Sequence, residues 1–182
     1  SQVSDSDNEA ADNVGIGNFA GYYNVTGQKN VYIGKDAGYG ASGQSNSYNT
    51  GIGYQSLNAI TTGYNNVAIG ASACTALTTA NHSIAIGANA LKVHTTGTNN
   101  IAIGFGAMDD TDAGSTSLGS LENIFIGVDS GGGTWADVAS NYNVGIGSYT
   151  MDAVMNGALN NTAVGYFALS ALTTGDNNVA IG

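Results

Sequence analysis

The sequence predicts an all-β protein, specifically a parallel β-solenoid of about ten short coils. A five-residue phrase, Asn-Val-Ala-Ile-Gly at residues 66–70, recurs along the chain with small variations. The closing glycines of the phrase, called marker glycines here, are Gly17, Gly34, Gly53, Gly70, Gly87, Gly104, Gly127, Gly147, Gly165 and Gly182. The marker glycines are equally spaced from Gly53 to Gly104, and four of the other intervals are longer. This short spacing is typical of one solenoid coil and far too short for a domain.

Each phrase predicts one short strand. Asparagine occupies the first position in nine of the ten phrases, with Ser83 as the exception, and β-branched residues occupy the second and fourth positions. Residues two apart on a strand project from one face, so we expect the branched side chains to stack into a continuous inward-facing spine. The residue between them, usually Ala or Gly, is then expected to face outward. The asparagines of successive coils are expected to bond to each other as a ladder.

A second inward-facing segment is expected after each marker glycine. Three places beyond the glycine, nine coils carry Ala, Ser or Thr, and the next residue is Gly, Leu, Cys or Met. We interpret this segment as a second short strand, so that each coil has two strands and two turns rich in Gly, Asn and Thr. The lone Cys74 shares a column with Leu57 and Leu91, which favours a buried apolar side chain over a nucleophile.

Two regions depart from the regular coils. Residues 1–12 are polar and acidic, and they are interpreted as a leader or as a cap on the first coil. The repeat domain covers residues 13–182, and extra residues in two of its coils predict loop insertions near 109–120 and 131–141. With coils spaced by roughly 4.8 Å, the nine intervals predict a rod about 40 Å long.

The composition argues against several classes of partner. The chain has 182 residues, of which 13 are acidic and only three are basic, and its formal net charge is −10. A surface this acidic is not expected to bind nucleic acid or an anionic membrane surface. Direct membrane insertion is not expected either, because no hydrophobic run is long enough to cross a bilayer.

The residue between the two branched positions bears on oligomeric state. It is Gly or Ala in eight of the ten phrases, and Tyr32 and Phe125 are the departures. A solvated strand face would normally carry Thr, Lys, Ser or Gln at this position. A bare face of Ala and Gly would let identical subunits approach closely around a symmetry axis. The alternative is an exposed face that happens to carry small residues.

Candidate catalytic and metal-binding groups are few. Asp109, Asp110 and Asp112 lie together in the longer insertion, where they fit a solvated acidic loop, a calcium site or an acid pair that cleaves polysaccharide. The spacing only half matches a calcium loop and lacks the distant bidentate glutamate. His82 and His94 occupy different columns of the coil, so they are expected at the surface without forming a metal site. We therefore predict no catalytic residue and no metal ligand.

Aromatic residues are better candidates for recognition. Trp135 lies in the second insertion after three glycines, and Tyr142 and Tyr149 follow it. An exposed indole beside polar side chains is typical of a sugar-binding surface. The alternative is a tryptophan that folds back to anchor its own loop or packs on a neighbouring subunit. Seven of the ten tyrosines fall between Tyr22 and Tyr64, and they form a second candidate patch.

The repeated phrase, followed by x-x-Ala-Leu and then Thr-Thr-Gly before the next Asn, resembles the head repeats of trimeric autotransporter adhesins. Similar repeats occur in bacteriophage tail fibres. The resemblance covers residues 13–182 and implies a left-handed parallel β-roll, a homotrimer, and an extracellular position on a virion tail fibre or a bacterial surface. The period of this chain is longer and less regular than that of the adhesin heads. No catalytic residue is carried over, because the family pattern has none.

The expected function is attachment without catalysis. The chain would be a homotrimeric section of a fibre, in contact with neighbouring fibre segments, whose loops meet a glycan or protein receptor on a cell surface. The candidate receptor-binding residues are Trp135, Tyr142, Tyr149, Asp109, Asp110 and Asp112. Two alternatives stay open at this point. One is a purely structural fibre spacer, and the other is a polysaccharide depolymerase.

Overall fold

The computed structural model describes residues 12–111 and 119–182, and Asp112 therefore lies outside the described residues. Ten three-residue strands form one sheet in which each strand pairs with the next along the chain. The strands are β1 (Val14–Ile16), β2 (Val31–Ile33), β3 (Thr50–Ile52), β4 (Val67–Ile69), β5 (Ile84–Ile86), β6 (Ile101–Ile103), β7 (Ile124–Ile126), β8 (Val144–Ile146), β9 (Thr162–Val164) and β10 (Val179–Ile181). The expected all-β parallel solenoid is confirmed.

Every repeated phrase lies directly above its predecessor. Residues one coil apart are partners in a parallel register, as in the pairs Val67 with Ile84 and Ala68 with Ala85. The same register holds across the coils of irregular length, where Ala102 pairs with Phe125. Because parallel strands bond sideways, the backbone hydrogen bonds of the sheet run along the axis of the rod.

The described residues of each coil contain one strand, so the prediction of a second strand is wrong. The segment after each marker glycine is a turn in which alternate residues have positive φ, for example Ser72 at 58° and Cys74 at 51°. Alternation with left-handed residues bends the chain and prevents an extended conformation. Neighbouring coils are still bonded here, since the amide of Cys74 donates to the carbonyl of Ala90 over 3.0 Å.

The predicted direction of the strand side chains is also wrong. The middle residue of the inner strands is buried, as in Ala68, Ala85 and Ala102, whereas the branched residues on either side are half-buried or exposed. The asparagine two places before the middle residue determines which side chains of the strand point inward. It points into the coil, and the period of two along a strand then turns the middle residue inward as well.

The asparagine ladder is confirmed, and it occupies the buried corner of the coil. Asn66 is fully buried and its side-chain amide donates to Asn49 Oδ1 over 3.1 Å and to the carbonyl of Ala80 over 2.8 Å. Asn66 Oδ1 in turn accepts from the amide of Ser83 over 3.0 Å. One side chain thus satisfies three polar groups that the narrow coil would otherwise bury without a partner.

Mainly apolar side chains fill the rest of the interior, with a few polar ones such as His94 and Thr111 among them. Leu57, Cys74, Leu91 and Met108 form one fully buried file, as predicted for Cys74, and burial raises the pKa of its thiol to about 12. A second file lies further along each coil and contains Ile60, Leu77, His94, Thr111, Trp135 and Met155. The interior is narrow, so side chains from opposite walls of the coil touch.

The two aromatic residues of the strand file show how narrow the coil is. Tyr32 faces Gly38 across the coil, and a methyl group on Gly38 would overlap the ring. Phe125 lies against Gly131 and Gly145 in the same way. An aromatic ring is therefore accommodated only where glycine takes the place of Leu, Cys or Ala in the adjoining columns.

The marker position accepts only glycine. All ten marker glycines have φ between 128° and 150°, a region that side chains rarely allow. From Gly17 to Gly165, a methyl group would also overlap the carbonyl of the marker glycine in the next coil. Both the backbone conformation and the close approach of successive coils thus require glycine at this position.

Candidate functional site

The outer surface of the sheet is a flat apolar face. It consists of the first and third residues of every strand and is called the outward face here. Apart from Thr50 and Thr162, all of these residues are Val or Ile. In the middle of the sheet, Ile69 and Ile86 are each 37% exposed.

The outward face is continuous along the rod. Because the strands stay in register, the branched side chains form two parallel files that run through all ten strands. At roughly 4.8 Å per interval, the files extend for about 40 Å. An apolar surface of this length is uncommon on a soluble monomer, and large exposed apolar patches are typical of interaction sites.

Trp135 is not an exposed recognition residue. Its side chain is fully buried, in edge contact with Phe125 at a centroid distance of 5.9 Å. Among the described residues no acceptor bonds to its indole nitrogen. The indole fills the file that holds Leu77 and Met155 in other coils, so Trp135 anchors its own insertion.

The second insertion follows the neighbouring coils around Trp135. The amide of Trp135 donates to the carbonyl of Asp110 over 3.1 Å, and the amide of Ala136 donates to the carbonyl of Met155 over 2.8 Å. Further along, the amide of Val138 donates to Asn156 Oδ1 over 3.0 Å. This half of the insertion is therefore bonded to the coils on both sides, and the buried tryptophan lies between them.

The described aspartates of the first insertion, Asp109 and Asp110, lie near one other carboxylate, that of Asp129. A methyl group on Gly106 would meet carboxylate oxygens of both Asp129 and Asp109, so these two side chains converge. Burial, and then the charges of Asp129 and Asp110, raise the pKa of Asp109 to about 6. Asp110 is exposed and accepts a hydrogen bond from Thr134 Oγ1 over 2.6 Å.

The predicted tyrosines lie at the surface in two different places. Tyr142 is 47% exposed and stands in the column just before the asparagine ladder. Tyr149 is half-buried, and its ring stacks on that of Phe167 at 5.0 Å and meets Tyr166 edge-on at 5.9 Å. The structure therefore does not bring Trp135, Tyr142 and Tyr149 together into one exposed site.

The histidines differ from each other in burial. His82 is exposed, with Nε2 3.2 Å from the side-chain amide of Asn65. His94 is fully buried, so its expected surface position is wrong. Among the described residues, no three His, Cys, Asp or Glu side chains are grouped as metal ligands.

A surface groove lies within the tyrosine-rich region that the sequence indicated between Tyr22 and Tyr64. It has a volume of about 550 Å³ and is called the tyrosine groove here. Its lining residues are Ser45, Ser47, Tyr48, Thr62, Tyr64 and Asn65. None of them belongs to the outward face, and none is a carboxylate or a lysine.

An aromatic patch lies near the start of the rod. The ring of Tyr22 stacks on that of Tyr39 at a centroid distance of 5.6 Å, and both rings meet Phe19 and Tyr23 edge-on. Phe19 and Tyr39 also line a smaller pocket of about 340 Å³ together with Lys35, Asp36 and Asn58. Tyr22 and Phe19 stay 55% and 48% exposed, so this patch is a second aromatic surface, and its rings pack mainly on one another.

Comparison of the chain with protein-family models, with curated proteins and with solved structures gave no match. A search of the described residues for a helix of the length and hydrophobicity that a bilayer requires also found none. The outward face and the tyrosine groove are the two surfaces of the molecule that bear most directly on its function.

Proposed function

We propose that the protein is a non-enzymatic attachment module, a homotrimeric β-solenoid section of a fibre that presents receptor-binding surfaces outside the cell. The observation that carries this proposal is the outward face, an apolar surface that runs the whole length of the sheet. A rod of stacked coils with one such face is suited to side-by-side assembly into a fibre. In this proposal the fibre belongs to a virion tail or to a bacterial surface adhesin.

The occupant proposed for the outward face is a second and a third copy of the same chain. Two files of Val and Ile would pack around a threefold axis with the rods parallel, and each coil would meet the same coil of its neighbours. The free energy of burying this apolar area would drive assembly. The number three comes from the resemblance to adhesin heads. The Ala and Gly residues that the strand pattern placed at the axis are inside the coil instead.

Assembly is tested by the mass of the protein in solution. Sedimentation equilibrium at micromolar concentration is expected to give three times the chain mass of 18.2 kDa. A monomeric mass would remove the assembly proposal, and a dimeric mass would replace threefold packing by a face-to-face pair.

Attachment is tested separately by the binding of labelled protein to panels of bacterial and animal cells. The structural spacer is the competing function, and a spacer binds none of them. Saturable binding that unlabelled protein displaces would support attachment. Binding to no cell type would favour the spacer, even if the protein is a trimer.

A further inference from the structure

We infer that the tyrosine groove binds an uncharged saccharide, through its tyrosine rings and its hydroxyl and amide groups. This inference rests on the proposed attachment function, because it names the chemical class of the receptor and the site that holds it. It also moves the expected sugar-binding site from Trp135, which is buried, to the coils that contain Tyr48 and Tyr64.

The groove exists because one coil is longer than its neighbours. The interval from Gly34 to Gly53 is longer by two than the interval from Gly53 to Gly70, and the additional chain must be accommodated ahead of Tyr48. Gly40 and Gly43 have φ of 75° and 77° in this segment, which lets the chain turn away from the regular path. The step between the longer coil and the shorter one leaves the concave surface.

The two tyrosines supply the apolar part of the site. Tyr48 and Tyr64 are 51% and 42% exposed, and they come from successive coils. Lys29 Nζ lies 5.3 Å from the centre of the Tyr48 ring, over one of its two faces. The apolar C–H face of a pyranose ring packs against such an aromatic surface, while its hydroxyl groups point toward polar neighbours.

Two serine hydroxyl groups line the groove, and Ser45 Oγ accepts from Thr26 Oγ1 over 2.6 Å. Ser45 Oγ accepts from the amide of Thr26 over 3.0 Å, and Ser47 Oγ accepts from the amide of Gln28 over 3.0 Å. An oxygen that already accepts in this way keeps its own proton for another acceptor. The side-chain nitrogen of Asn65 lies 3.2 Å from His82 Nε2, so its carbonyl oxygen is left as an acceptor. A sugar hydroxyl group needs both a donor and an acceptor of this kind.

Charge and backbone bonding select against other ligands. The lining residues themselves are uncharged side chains, and Lys29 adjoins them at the Tyr48 ring. The formal net charge of the chain, −10, disfavours the approach of acidic sugars. A peptide that added itself as a strand would need open backbone groups. The amides of Tyr48, Tyr64 and Asn65 already donate, to Gln28, Asn81 and Ser47 respectively.

The test is an array of neutral and acidic oligosaccharides probed with the full chain. The wild type is compared with the double variant Tyr48→Ala/Tyr64→Ala and with Tyr166→Ala, a control that removes an exposed ring from the other end of the rod. We expect binding to at least one neutral glycan, weakened about tenfold or more in the double variant and unchanged in the control. Tyr48→Phe should keep most of the affinity, because it retains the ring.

Three outcomes would overturn the inference. They are binding to no neutral glycan on the array, binding only to acidic glycans, and binding that the double variant leaves intact. Failure here is separable from failure of the proposed function. If labelled protein attaches to cells and the double variant attaches equally well, the attachment function stands and the assignment to the tyrosine groove falls.

Discussion

At the scale of single residues, the ladder asparagines hold the coil together. Removing Asn66 would leave the carbonyl of Ala80 and the amide of Ser83 buried without their partners. A buried unpaired polar group costs about 1–3 kcal/mol. We therefore expect Asn66→Ala to lower the free energy of unfolding by about 2–5 kcal/mol, as measured by urea denaturation at a fixed protein concentration.

A matched control for Asn66→Ala comes from the end of the ladder. Asn178 is exposed, and its side-chain amide bonds to Asn161 Oδ1 over 2.9 Å. Asn178→Ala should be much less destabilising, because water can replace the lost partner. Equal effects at the two positions would mean that burial of the ladder contributes little.

His94 compensates for the one gap in the ladder. Ser83 stands where asparagine stands in other coils, and its hydroxyl has no partner among the described residues. The side-chain amide of Asn100 therefore lacks its usual acceptor, the side-chain oxygen of the preceding ladder asparagine. His94 Nε2 lies 3.1 Å from the side-chain nitrogen of Asn100 instead. This contact requires a neutral imidazole with its proton on Nδ1, 3.1 Å from Thr111 Oγ1.

The buried imidazole makes stability depend on pH. Burial lowers the pKa of His94 from 6.5 to about 4, despite opposing hydrogen bonds. Between these values the unfolded chain binds the proton and the folded chain does not, so stability falls as the pH falls from about 6.5 to 4. The contribution lost is about 3 kcal/mol. Asp109 acts in the opposite direction, because its raised pKa favours the protonated folded form below about pH 6.

The double variant Ser83→Asn/His94→Leu isolates the contribution of His94. It restores the asparagine and the apolar residue that other coils carry, while Asp109 is unchanged. We expect stability at neutral pH to be kept and the acid-dependent loss to shrink relative to the wild type. Urea denaturation at several pH values between 7 and 4 measures this difference. An unchanged pH profile would show that His94 is not the responsible group.

At the scale of the coil, a large side chain in one interior column is accommodated by a small residue in an adjoining column. Phe125 is accommodated because Gly145 in the next coil lacks a side chain, and a methyl group there would overlap the ring. Gly145→Ala is expected to cost about 1–3 kcal/mol of stability and Phe125→Ala about 3–5 kcal/mol. The double variant should cost less than the sum, since the new methyl group fills part of the space left by the ring.

A double-mutant cycle measures this coupling from the unfolding free energies of the four proteins. Pairing Gly145→Ala with Tyr32→Ala gives the control, because these residues belong to distant coils and should be additive. If the Phe125 pair were additive too, compensation between adjacent coils would not explain where glycine and aromatic residues occur.

At the scale of the whole molecule, a substitution on the outward face is expected to affect assembly without affecting the fold of the single chain. Ile86 lies at the middle of this face and points away from the coil interior. We expect Ile86→Lys to leave the fold intact, by circular dichroism, and to convert the proposed trimer to a monomer in sedimentation. Repulsion between the buried lysines and loss of apolar contact both oppose assembly.

Thr79→Lys is the matched control for Ile86→Lys. Thr79 is exposed on a turn of the neighbouring coil and does not belong to the outward face. It adds the same charge to the chain, so its oligomeric mass should equal that of the wild type. Dissociation in both variants would assign the effect to charge, and dissociation in neither would show that the outward face is not the contact surface.

The repeat pattern was enough to predict the architecture. Marker glycines at a short and nearly constant period, together with a ladder of asparagines, specify a parallel stack because identical residues satisfy each other only when successive coils are in register. The core file of Leu57, Cys74 and Leu91 followed from the same columns. These are local and repeated signals, which a single chain displays many times.

Which face of each strand lies inside became clear from the packing of the coil. The repeat pattern predicts inward-facing branched residues. A buried asparagine two places before the middle residue instead turns the middle residue inward and the branched residues outward. Burial of Trp135 and His94, and the groove between Tyr48 and Tyr64, depend on which side chains meet across a narrow coil and on where coils of unequal length adjoin. Contacts between non-repeated residues have no period, so the sequence pattern carries no signal for them.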